Sequence, residues 1–156
     1  LDLGHFILRE PEVHTLQLLR QRPVALVRTG HPLTERTVTA RRFSQHLHVD
    51  VQRRPGAASP VDDALAAQQL TRNVVLTVPQ ANVAALAASR SDLVATLTER
   101  MARAVAPTMG LQVLPLSFAV EAEVLVMAWH PRHHGDPAHS LLRQHLLKLL
   151  AAACQG

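Results

Sequence analysis

The chain has 156 residues, 47% of them hydrophobic, with a formal charge of +4 and a single cysteine. A chain of this size and apolar content buries a core, which excludes disorder, and the lone Cys154 excludes both an internal disulfide framework and a thiolate-rich zinc site. No apolar run reaches the roughly 20 residues of a bilayer span and the N-terminal stretch lacks a signal-peptide pattern, so the reading is a soluble, cytoplasmic protein with no membrane partner.

The positive charge is carried by arginines with Lys148 alone among lysines, and the pairs Arg41–Arg42 and Arg53–Arg54 are separated. With aromatics at 3%, the basic residues read as solvated faces rather than as a nucleic-acid surface, which interleaves basic and stacking side chains.

In chain order, Leu1 to Ile7 reads as a strand, followed by a polar link from Arg9 to His14 and a short leucine-rich stretch to Leu19. Val24 to Arg28 is a continuous apolar run of buried-strand type. Gly30 and Pro32 then end it sharply, which makes residues 29–33 a candidate hinge between two lobes. Thr39 to Gln45 reads as a short helix and Leu47 to Val51 as a strand. Ser59 is a candidate N-cap with Pro60 at the first helical position and Asp62 and Asp63 in the first turn, so a helix is expected over Pro60 to Leu70.

The β-branched run Asn73 to Val78 is a strand stopped by Pro79, and Gln80 to Ala88 returns as an Ala-rich helix. Asp92 to Leu97 reads as a strand, and Thr98 caps a helix over Glu99 to Met109 that Gly110 closes. Leu111 to Pro115 and Glu123 to Trp129 are further strands. The last helix runs from Pro137 to Ala153, with Leu141, Leu142, Leu146, Leu149 and Leu150 expected to form one packed face. This alternation implies an α/β lobe with helices on both sides of a sheet.

In such sheets ligands bind where strand carboxyl ends meet helix amino ends. Three junctions qualify: Gln52 to Ser59, Pro79 to Asn82 and Leu97 to Glu99. They offer backbone N–H donors together with Ser59, Gln80, Asn82 and Thr98, a set suited to a carboxylate or another anion. The competing reading of Ser59 and Thr98 is that they only cap helices. A rival site is the cluster of His130, His133, His134, His139 and His145. It lacks the His-x-Glu and His-Glu-x-x-His spacings of zinc enzymes, and Asp136 before Pro137 reads as a cap, so no metal site is assigned. Neither a Gly-x-Ser-x-Gly elbow nor a phosphate loop is present, and no catalytic residue or cofactor is assigned.

The segments Leu1 to Leu3, Val24 to Leu33, Val61 to Ala66, Leu70 to Arg72, Val78–Pro79 and Ser91 to Leu97, followed by Trp129–His130, Asp136 to His139 and Leu142–Arg143, occur in a characteristic order. In that order the chain resembles the effector-binding domain of LysR-type transcriptional regulators, most closely the branch responding to small aromatic and related effectors. The resemblance covers essentially the whole chain.

It implies a type 2 periplasmic-binding-protein-like α/β domain of two lobes, with an effector held between them. Residues 30–116 would be lobe II, complete, and residues 1–29 and 117–156 a partial lobe I. A winged helix-turn-helix that binds DNA in such regulators is not in this sequence. Implied partners are a small-molecule effector, further copies in a homodimer or tetramer, and DNA only through that absent domain. With lobe I partial, an uncovered sheet edge would favour association of the fragment. The implied cleft residues are Thr29, Gln80 with Ala81 and Asn82, and Thr98, beside Ser59. Gln80 stands where that branch often has His, Thr98 where Pro is common, and Leu141 where Trp is usual. The rival functions are a free solute-binding protein and a His-dependent metallohydrolase.

Overall fold

The computed structural model describes residues 1–4, 12–51 and 59–153. The expected extension of the first strand to Ile7, most of the link after Arg9, the loop 53–58 and Cys154 lie outside the described residues. The chain divides into two compact units, Leu1–Arg20 with Val124–Gly156, and Gln21–Glu123.

The larger unit is built on five strands: β3 (Pro23–Arg28), β4 (Leu47–Val51), β5 (Asn73–Val78), β6 (Val94–Thr98) and β7 (Leu111–Pro115), in the order β5-β4-β6-β3-β7. Strand β4 is parallel to β5 and β6, whereas β3 is antiparallel to both β6 and β7. Four strands therefore run one way and β3 alone runs the other. Right-handed crossovers through helices explain the parallel set. Both faces are covered, which is why β3 is apolar without alternation: Val24 and Leu26 enter one core with Ala84, Ala85, Ala88, Ala102 and Ala106, while Ala25 and Val27 enter the other with Leu33, Phe43, Val61 and Leu65.

The first of these cores is closed by α3 (Ala81–Ser89) and α4 (Glu99–Met109), whose inward alanines let the helices approach the sheet closely. The second is closed by α1 (Ala40–Ser44), α2 (Pro60–Ala66) and the 3-10 turn Pro32–Glu35. The histidine that precedes that turn has a structural role. Nδ1 of His31 accepts the Leu33 amide at 3.0 Å and Nε2 donates to the Asp92 carbonyl at 3.2 Å, so a 1% exposed imidazole joins the turn to the segment before β6.

Two boundaries differ from the sequence reading. Helix α2 ends at Ala66 rather than Leu70, because Gln69 adopts φ 58 and the Leu70 amide returns to the Leu65 carbonyl at 3.0 Å. That is a left-handed helix stop made without glycine. Strand β6 begins at Val94 rather than Asp92, whose carboxylate is drawn off to pair with Arg28 at 2.6 Å.

The smaller unit contains β1 (Asp2–Gly4), β2 (His14–Gln21) and β8 (Glu123–Trp129) in the order β1-β8-β2, and α5 (Pro137–Ala153). Asp2 pairs with Ala128 antiparallel. The leucine-rich stretch before Leu19 is thus an eight-residue strand. The expected apolar face of α5 is packed only in part: Leu146 and Leu150 are half-buried, while Leu141, Leu142 and Leu149 are 68%, 47% and 54% exposed. Arg143 is 8% exposed; its guanidinium lies 4.8 Å from the centroid of the Trp129 ring and donates to the carbonyls of His133 and His134. These contacts tie the helix to the end of β8.

Candidate ligand site at the carboxyl edge of the five-stranded sheet

Register locates the ends of the parallel strands. Val51 is opposite Val78, and the pairing of Val49 with Ala95 carries Val51 level with Leu97. Gln80 lies two residues past Val78 and Thr98 one past Leu97, so α3 and α4 begin at the same edge of the sheet, after strands that β4 separates. Gln80, Ala81, Asn82 and Thr98 therefore lie along one edge on the face of the first core, while Ser59 starts α2 on the other face.

Their side chains are not in equivalent states. Gln80 and Thr98 are the N-caps of α3 and α4, yet neither makes a side-chain capping bond. Asn82 is exposed in the first turn of α3. These polar groups, and the amides of the first turns, point to a small anion or hydrogen-bonding ligand. Ser59 is committed differently: its Oγ accepts from the Asp62 amide at 3.3 Å and from Nη2 of Arg72 at 3.4 Å.

Thr29 does not join this group. Because β3 runs antiparallel, its last residue Arg28 pairs with Leu111 at the start of β7, and Thr29 donates through both its amide (3.2 Å) and Oγ1 (3.0 Å) to the Gly110 carbonyl. That is the opposite edge of the sheet, and Thr29 there ties a strand end to the left-handed cap of α4, where Gly110 has φ 64. The residues of β3 that reach the ligand edge are at its other end: Pro23 pairs with Thr98, and the Arg22 carbonyl accepts the Glu99 amide at 2.8 Å. Sequence reasoning missed them because an apolar run does not disclose its direction.

Also unforeseen was a buried ionic cluster that fixes Ser59. The Arg72 side chain is 1% exposed; its Nε and Nη2 donate to the Asp62 carboxylate at 2.6 and 3.0 Å, and Nη2 lies 3.3 Å from Asp50 on β4. Burial by itself would lower the Arg72 pKa, but the Asp62 hydrogen bonds and the Asp50 charge outweigh it and the net direction is upward. Beside the cluster, His48 is fully buried, with Nε2 donating to the Phe43 carbonyl at 2.9 Å, and burial pushes its pKa down to about 4. Among the described residues no group of three or more His, Cys, Asp or Glu is arranged to hold a metal ion. A separate open depression of about 220 Å³, lined by residues 36–38 and 114–117, contains none of the expected site residues.

A mixed sheet with one reversed strand, helices on both faces and two helix amino ends at one edge defines a ligand-binding α/β protein of the type 2 periplasmic-binding-protein kind. The chain belongs to the LysR substrate binding domain family, which matches residues 2–151. It is 31% identical over 133 residues to the HTH-type transcriptional activator NahR of Pseudomonas putida, covering 85% of this chain and 44% of that protein. The chain thus spans about half the length of the curated relatives it matches. Among solved structures it is similar to the regulatory domain of MexT, a transcriptional activator in Pseudomonas aeruginosa, with TM-score 0.78, 25% identity, and coverage of 94% of this chain and 70% of that one. The effector binding domain of QuiR in complex with shikimate shares the fold at TM-score 0.79 and 14% identity, over 96% of this chain and 71% of that one. No helix among the described residues is long and apolar enough to cross a membrane.

Proposed function

We propose that this chain is the effector-sensing part of a cytoplasmic LysR-type transcriptional regulator and performs no catalysis. The effector is a small anionic or aromatic molecule that contacts Gln80, Ala81, Asn82 and Thr98, with Ser59 at the margin and Thr29 outside the contact set. The observation that carries this reading is the two helix amino ends at one sheet edge whose cap residues, Gln80 and Thr98, leave their side chains without capping bonds. The bound shikimate of QuiR shows that a small carboxylate suits a domain of this fold. In this reading the units 1–20 with 124–156 and 21–123 are the two lobes, in place of the expected 1–29 with 117–156 and 30–116. DNA contact belongs to a helix-turn-helix in the longer protein, which acts as a homodimer or tetramer, and the effector works by favouring one arrangement of the lobes through its differential affinity.

The test is a thermal-shift screen of the purified chain against aliphatic and aromatic carboxylates, shikimate included. A saturable rise in Tm that is lost in Gln80→Leu and Thr98→Val supports the site. A hit whose affinity is unchanged in both variants places the ligand elsewhere and refutes it.

A further inference from the structure

The histidine-rich junction between β8 and α5 plays no part in effector binding as read above. At its centre Nη1 of Arg143 donates to the His133 carbonyl at 3.1 Å and to Nδ1 of His139 at 3.0 Å, while Nη2 donates to the His134 carbonyl at 2.9 Å. Three further imidazoles around it each receive an N–H on a ring nitrogen. Nδ1 of His130 accepts the Arg132 amide at 3.2 Å, Nε2 of His133 accepts Nε of Arg132 at 2.9 Å, and Nδ1 of His134 accepts the Trp129 indole N–H at 3.4 Å. The His14 ring lies 4.4 Å from that of His134 and 5.6 Å from that of Trp129, and His133 stacks on His139 at 4.8 Å.

Guanidinium, indole and amide N–H groups can only donate. Each of His130, His133, His134 and His139 must therefore present a lone pair, which only the neutral imidazole has. A second proton on any of them sets N–H against N–H and adds positive charge beside Arg132 and Arg143. Among the described residues, the charged and titratable groups recorded at the junction are the His14 ring on β2, Arg132 and the four histidines themselves, Arg143 on α5, and Asp136. Asp136 is the one carboxylate among them, and it is engaged as a cap, accepting the His139 amide at 2.9 Å. Consistently, desolvation and the nearby charges of Arg132 and His139 hold His133 below the ordinary histidine pKa, with Asp136 opposing.

We propose that the junction 130–143 is a pH-sensitive latch: protonation in mild acid breaks the bond from Arg143 to the His139 ring and those by which the His130, His133 and His134 rings hold the loop whose two carbonyls receive Arg143, and so loosens α5 on β8. A regulator so built reads proton concentration as well as its effector.

Trp129 is the only tryptophan in the chain, so its emission reports on the latch directly. In the full chain, titrated from pH 8 downward, the emission changes in mild acid, before far-UV circular dichroism is lost. The triple variant His133→Gln, His134→Asn and His139→Asn keeps acceptors near the same positions without titratable rings, and flattens this transition. Emission that is flat down to pH 5 in the unmodified chain, or a triple variant that titrates like it, overturns the proposal. Should the triple variant not fold at pH 8, ring-proton NMR titration of the unmodified chain decides. Coupled titration of the junction histidines upholds the latch, and independent titration at the ordinary value refutes it.

Discussion

Replacing Arg72 by Met isolates what the buried ionic cluster does for the ligand edge. The guanidinium is 1% exposed and makes two bonds to Asp62, a contact at 3.3 Å to Asp50 and a bond to Ser59. Removing one partner of a buried pair typically costs about 3–5 kcal/mol, because a charge is left without its counter-ion. Two observations reduce that figure. Asp62 is 48% exposed and rehydrates when released, leaving Asp50, at 19%, as the main abandoned charge. Nη1 of Arg72 is itself buried without a hydrogen-bond partner, so its loss relieves a desolvation penalty. The net expectation is about 2–3 kcal/mol, equivalent to a fall in Tm of roughly 4–12 °C for a chain of this size. Urea unfolding at pH 7 measures it, and Asp50→Asn in the Arg72→Met background should recover part of the loss. A cost for Arg72→Met under about 1 kcal/mol, or a double variant less stable than the single, would show that the cluster does not anchor α2 to the sheet.

Four further outcomes follow from named contacts. His48 has its pKa lowered to about 4 by burial, partly opposed by its bond to Phe43 and aided by Arg72 and His46. The unfolded chain therefore binds the proton first as pH falls, so the contribution is complete above about 6.5 and about 3 kcal/mol of stability is lost by pH 4; His48→Gln should remove that part of the pH dependence in urea titrations. Ser59→Ala should cost about 1 kcal/mol by chemical denaturation, whereas Thr98→Val and Gln80→Leu should stay within about 0.5 kcal/mol, because only Ser59 makes a capping bond. Gly110→Ala forces a side chain to φ 64 and should cost about 1 kcal/mol, read as a lower Tm. Leu26→Ala, at a fully buried position of β3, should cost about 2–5 kcal/mol in the same assay.

The elements closest to their sequence expectation are those with local causes. Proline at the first turn and Ser59 before it start α2; the β-branched run makes β5; Gly110 stops α4. The strand-to-helix junctions at Gln80–Asn82 and Thr98 were legible because each follows a strand directly and such a junction needs no distant information. Thr29 was misplaced for the converse reason. Its neighbours Gly30 and Pro32 mark a turn correctly, but which sheet edge the turn occupies depends on the direction of β3, and direction is set by pairing with β6 and β7.

By itself, then, the sequence determined the order of most helices and strands, the starts set by caps and proline, and that both faces of the main sheet are covered, since capping, proline and apolar runs act over a few residues. Only the tertiary structure decided the reversal of β3, the ion cluster of Asp50, Asp62 and Arg72, and the tie of α5 to the end of β8 through Arg143. Those depend on groups nine or more positions apart meeting in the folded chain, where charge pairing and strand direction are set by partners that no local pattern discloses.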